Sequence, residues 1–206
     1  MTTLSDFRTL VRGDLKDWDP QNYRWTDDEI DHAIQKAVAE FSRYMPRGMK
    51  STIATTAGEA DIDISGLTQL IRVDMVEFPV GTMPRTFARF SVYGDSLTML
   101  DARGDGQDCY ICWGKMHTVD EEQSTIPSHL EDVLVCGAAS YAAISLAQYH
   151  SDRANIGGEH VARDYECWGR MHLQRFYKSL RKFGRDWRLR WSIMYPATDH
   201  EGGDHE

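Results

Sequence analysis

The chain has 206 residues, 41% apolar, 11% aromatic and 27% charged, a composition that excludes a disordered or collagenous protein. Its net charge of −9 is unevenly spread: net −3 over residues 1–45, −8 over 46–159, +6 over 160–195 and −4 over the last eleven. An acidic body opposes wrapping of nucleic acid, because affinity for phosphate comes from Lys and Arg.

The first segment reads as helix, with Leu4, Phe7, Leu10, Val11 and Leu15 at helical spacing and Asp17-Trp18-Asp19-Pro20 as the break. A stronger start follows. Thr26 and Glu29 have the spacing of a capping box, with Trp25 and Ile30 at the two positions of a hydrophobic staple. Ile30, Ile34, Ala37, Val38 and Phe41 form the apolar face of this second helix, and Pro46 and Gly48 are its stop signals. From Lys50 the period changes to two. Ala60–Ile64, Leu70–Phe78, Phe87–Tyr93, Ser96–Leu100 and Cys109–Val119 alternate polar and apolar residues between Gly and Asp turns. They predict five or six strands in a compact antiparallel unit.

Helical signals return at Ser128 and Glu131, spaced as a second capping box. Gly137, Ala138, Ala139, Ser140, Ala142 and Ala143 leave little side-chain bulk, so this third helix can approach a neighbouring backbone closely. Its least polar stretch, Val133 to Ala147, reads as too short for a membrane span. Gly157-Gly158 predicts a break. A fourth helix then extends from about Glu159 to Phe183, with Val161, Tyr165, Trp168, Leu173, Phe176 and Leu180 as core positions and Gly184 as its cap. Beyond it, Trp187, Leu189, Trp191, Ile193 and Tyr195 alternate with polar residues, as in an extended segment that adds to another protein. The last eleven residues read as a solvated acidic tail.

Candidate chemistry is sparse. Cys109 and Cys112 fall on a strand, where a three-residue offset points them to opposite faces, and no second pair completes a zinc set. Four cysteines in all, with no signal-peptide pattern, suggest a reducing site of synthesis. His160 with Asp164 reads as a surface pair, the histidines of the tail lack a rigid frame, and Arg103-Gly104-Asp105 reads as turn chemistry. Phosphate loop, nucleophile elbow and His-Glu-x-x-His motif are all missing, so the sequence nominates no catalytic residue, cofactor or metal. The basic stretch Arg163 to Arg190 has three readings: a solvated helix face, a nucleic-acid contact built on interleaved Arg and Trp, or docking to an acidic partner. The acidic tail favours docking over nucleic acid, and Arg and Trp are frequent hot spots of protein interfaces.

Thr26-Asp27-Asp28-Glu29-Ile30-Asp31-His32-Ala33-Ile34 resembles the second-helix start of head-to-tail adaptor (connector) proteins of tailed bacteriophages. Ile126 to Val133 and Gly137 to Ala143 resemble their third helix, and Arg153 to Gly158 with Asp164, Tyr165 and Phe176 also fits. The position of the strand-rich segment is similar to that in the tail tubular adaptors of short-tailed phages. The resemblance covers nearly the full length.

It implies an α+β fold: a four-helix bundle (residues 1–48 and 126–184) with an antiparallel β domain (49–125) inserted between helices 2 and 3, plus an extended C-terminal arm and tail (185–206). It also implies a non-enzymatic virion protein of the head–tail neck, made in the host cytoplasm. Its partners would be copies of itself in a ring, typically of twelve, together with the portal protein and a tail or nozzle protein, and no membrane. Genomic DNA would pass through the lumen without sequence-specific binding. By that resemblance the portal-docking residues are Arg185, Trp187, Arg188, Leu189, Arg190, Trp191, Ile193, Met194 and Tyr195. The alternative function is nucleic-acid binding by the basic fourth helix and the Arg/Trp segment.

Overall fold

The computed structural model describes residues 2–152 and 161–194, with backbone only at 150–152, 161–162 and 186–194. The class is α+β, with four α-helices and two antiparallel sheets. In chain order these are α1 (Leu4–Leu15), α2 (Asp27–Tyr44), β1 (Arg47–Ala54), β2 (Asp61–Asp63), β3 (Leu70–Glu77), β4 (Phe87–Ala88), β5 (Phe90–Tyr93), β6 (Ser96–Met99), β7 (Asp108–Lys115), α3 (Glu131–Asp152) and α4 (Val161–Met194). The chain divides into two compact units. A β unit comprises Val38–Ser128 with the N-terminal residues through Leu4, and a helical unit comprises Ser5–Ala37 with the chain from His129 on.

In the helical unit α2 starts as its local chemistry dictates. Thr26 N donates to Glu29 Oε2 at 2.8 Å and Glu29 N to Thr26 Oγ1 at 3.3 Å, closing the capping box. Trp25 and Ile30 are both buried, as a staple requires, and the Trp25 indole N–H donates to the Ala142 carbonyl of α3 at 3.1 Å. The loop from α1 to α2 is held by a buried ion network. Arg12, 6% exposed, donates to Asp17 at 2.6 Å and to Asp27 at 2.7 Å, with its guanidinium 3.7 Å from the Tyr23 ring centroid. Asp17 also accepts from Arg24 N at 3.0 Å.

The β unit consists of a four-stranded sheet in the order β1-β7-β3-β4 and a three-stranded sheet in the order β2-β6-β5. Both contribute to one core, with Ile62, Leu97 and Met99 from the smaller sheet and Val76, Cys109, Ile111 and Trp113 from the larger. The alternation of β7 decides the fate of its two cysteines. Cys109 faces this core, and Cys112 falls on the other face, where Lys50 and Glu77 act on it. Two strands depart from the sequence reading. β1 begins at Arg47, across the supposed stop signals, because β7 supplies a partner for all eight of its residues. The expected strand Phe87–Tyr93 is divided at Arg89, whose N–H is taken by the Asp101 carboxylate at 2.9 Å, and β4 and β5 go to different sheets.

The C-terminal half corrects the expected arm. Residues 185–194 are not extended: α4 continues through them to Met194, and Gly184 is buried inside the helix instead of capping it. The physical reason is the competing period. Leu180, Gly184, Trp187, Trp191 and Met194 recur at three- and four-residue intervals, which satisfy the helix already running into them from Val161. Tyr195, the tail, and the Gly157-Gly158 and His160 readings lie outside the described residues.

Candidate functional site

The site begins with the packing of α3 on α4. A Cβ on Gly137 would stand 2.8 Å from the Phe176 ring, and one on Gly169 would stand 2.8 Å from Ile144 and 3.1 Å from the Ser140 carbonyl. Ala138, Ala139, Ser140, Ala142 and Ala143 are all buried. The small-residue run therefore brings the two backbones together, as its composition predicts. Over Ser128–Tyr149 this helix is long and apolar enough to cross a bilayer, longer than the stretch read from sequence. Trp25, Phe176 and Gly169 pack along it, as they would on the core helix of a folded unit.

The paired residues also give the register. Ile144 meets Gly169 and Gly137 meets Phe176, so the helices are antiparallel. Glu131, the first residue of α3, stands level with about residue 182 of α4, at ~1.5 Å per residue along each helix. α4 has 34 residues and α3 has 22. The far end of α4 therefore outruns its partner by about twelve residues, or ~18 Å. That overhang coincides with the nominated docking segment.

Of the nominated residues, Arg185 is exposed at the start of the overhang. Trp187, Arg188, Leu189, Arg190, Trp191, Ile193 and Met194 share one continuous helix with it. On a helix, the spacing of Gly169, Leu173, Phe176, Leu180 and Gly184 continues without a phase change into Trp187, Trp191 and Met194. The register of the seam that packs on α3 is thus carried into the overhang.

The outer side of α4 has a different character. From Cys167 to Arg185 there is no acidic residue. Arg175, Lys178, Arg181, Lys182 and Arg185 are all exposed, and none has an ion-pair partner among the described residues. Positions 178, 181, 182 and 185 are one helical turn apart and form a stripe.

A recess of about 510 Å³ lies in the helical unit, lined by Leu10, Asp132, Cys136, Trp168, His172 and Arg175 among others. The His172 ring stacks on Trp168 at 4.1 Å between centroids, and Cys136 Sγ is 3.9 Å from His172 Nδ1. Cys136 Sγ also lies 3.6 Å from the His172 carbonyl oxygen, and burial pushes its thiol up while Arg175 opposes the shift. Burial likewise raises the Cys109 and Cys112 thiols. Among the described residues no group of three or more His, Cys, Asp or Glu is placed to hold a metal ion.

Two buried centres have no sequence signature. One is the Arg12 network. The other is His117, 7% exposed, with Nδ1 2.8 Å from the Thr125 carbonyl and Nε2 3.1 Å from the Met45 carbonyl. This ring joins the end of α2 to the segment that leaves β7. Its surroundings are polar backbone and the edge-on Phe41 ring, so it acts as a cross-brace. No family model matches the chain, and no curated protein matches it.

Proposed function

We propose that this chain is a head–tail adaptor of a tailed bacteriophage, a structural neck protein without catalysis or cofactor. In this reading the helices form a four-helix bundle with the β unit inserted between α2 and α3. Copies of the chain form a ring beneath the portal, prolong the DNA conduit and offer a surface to the tail or nozzle. The observation that carries the reading is the overhang of α4. A helical seam that packs on α3 over about its first two thirds runs on past the end of α3 and there bears Trp187, Trp191 and Met194 beside three arginines. Large amphipathic rings next to Arg are the residue types that anchor protein interfaces. The docking element is therefore a helix that seats in a groove of the portal, not an added strand. The acidic remainder of the chain suits a conduit through which DNA slides, since phosphate finds few attractive wells on it.

Truncation before Arg185 tests this. The shortened chain should keep its helical circular dichroism and its cooperative unfolding, yet fail to join portal-bearing heads. Trp187→Ala with Trp191→Ala should do the same in the full-length chain. Normal incorporation of either variant overturns the docking role of the overhang, and a native chain that does not join portal-bearing heads overturns the adaptor reading.

A further inference from the structure

We propose that the cation stripe of α4 docks in an acidic recess on the β unit of a second copy of this chain. The stripe consists of Arg175, Lys178, Arg181, Lys182 and Arg185, spread over about 15 Å of helix at ~1.5 Å per residue. All five are exposed and without an ion pair among the described residues.

The recess has the opposite character. It is an open concavity of about 520 Å³ lined by Glu59, Asp61, Asp63 and Asp95, together with Tyr93. Asp61 and Asp63 are alternate residues of the edge strand β2, so both carboxylates leave the sheet on the side opposite buried Ile62. None of the four has an ion pair among the described residues. Hydrogen bonds from the Ser65 backbone and side chain hold the Asp63 carboxyl below the ordinary carboxylate range, so it stays anionic. Tyr93 is 91% exposed, a flat ring on which a guanidinium can stack.

One occupant meets both surfaces. Duplex DNA would satisfy the stripe, but the recess would repel it, whereas a second copy brings each surface the charge it lacks. The contact joins two different faces, so it is heterologous and propagates to a ring or an open chain of copies. A collar needs such a contact, and to that extent the inference rests on the adaptor reading. It also divides α4, with the stripe meeting a sister copy, the Trp-bearing overhang meeting the portal, and Arg185 standing where the two surfaces join.

The test is a charge swap on the full-length chain, read by sedimentation velocity. The native protein should self-associate at low salt and dissociate in about 1 M salt, where the screening length is ~3 Å. A stripe variant (Lys178→Glu, Arg181→Glu, Lys182→Glu) and a recess variant (Glu59→Lys, Asp61→Lys, Asp95→Lys) should each sediment as monomers. Their equimolar mixture should regain the association of the native protein, because each contact between the two variants then joins opposite charges. Glutamine and asparagine versions, which keep size and polarity, guard against misfolding and should each weaken association at least tenfold. A silent mixture, native association indifferent to these changes, or a native chain that stays monomeric at low salt overturns the inference. So does a stripe variant that keeps self-association and loses only binding to a fluorescent DNA duplex. If the swapped pair reassociates while the native chain does not join portal-bearing heads, the contact stands and the adaptor reading falls.

Discussion

The α3–α4 seam and the core of the β unit solve the packing problem in opposite ways. On the α3–α4 seam the helices touch because side chains have been removed: Gly137 lies under Phe176, Gly169 under Ile144, and alanines fill the intervening turns. The β unit is filled by large side chains, with Leu97, Ile111 and Val76 fully buried from facing sheets. The first arrangement is vulnerable to a single added methyl at its glycines. The second is vulnerable to deletion. Their buried polar centres differ in the same spirit. The helical unit buries a charged network at Arg12, and the β unit buries an imidazole between two backbone carbonyls.

The largest effect should come from the charged centre. Arg12→Ala leaves the Asp17 carboxylate buried with only a backbone donor, and breaking such a pair from one side costs about 3–5 kcal/mol. Denaturant unfolding should show that loss, and hydrogen exchange should place its onset in the loop from Leu15 to Asp27. A loss below about 1 kcal/mol would mean that the network is ornamental. Next is deletion from the sheet core. Leu97→Ala should cost about 2–5 kcal/mol, because the side chain is fully buried between strands that cannot collapse onto the gap. Addition to the helix seam follows. Gly137→Ala sets a methyl 2.8 Å from the Phe176 ring and should cost about 1–3 kcal/mol, despite the gain in helix propensity. The contrast fails if Gly137→Ala stabilises the protein.

These residues also show where sequence is legible. The start of α2 was readable because a capping box and a staple act within five residues: the box closes, and both staple residues are buried. The small-residue run of α3 announced close approach, and its partner Gly169 is found there. β1 was hidden because Pro46 and Gly48 are genuine local breakers, and only the distant strand β7 overrides them. The length of α4 was hidden by Gly184. An interior glycine costs a helix about 1 kcal/mol, so its local signal says stop, yet helical spacing on both sides outvotes it. Arg12 and His117 gave no warning, since their partners Asp17, Asp27, Met45 and Thr125 meet them only after folding. Of residues 185–194, composition was legible and conformation was not.

A smaller effect sharpens the local end of the comparison. Thr26→Ala removes the hydroxyl that accepts from Glu29 N and should cost about 1 kcal/mol, measured as a shift in Tm. Thr26→Ser should restore most of it. If serine rescues nothing, the threonine acts through its methyl and not as a cap.

The mildest prediction concerns pH. Burial is the dominant influence on His117 and holds its pKa below the ordinary 6.5. The Thr125 and Met45 carbonyls oppose that, and Arg47 reinforces it. The unfolded chain therefore binds a proton at this site more readily than the folded one. Stability from His117 is level above pH 6.5, falls as pH drops below it, and levels again under the folded pKa. Asp74 responds with the opposite sign in a lower window. Burial raises its carboxyl, so the fold gains as pH falls through the carboxylate range. The two are separable by the difference between the native chain and His117→Gln. That difference should shrink from pH 7 downward through the imidazole range, and NMR titration of the ring should give a folded pKa under 6.5. A folded pKa above 6.5 would mean that the two carbonyls outweigh burial, and His117 would then be a protonated strut. The β unit would in that case share the charged mode of bracing found at Arg12, and the distinction between the two polar centres would dissolve.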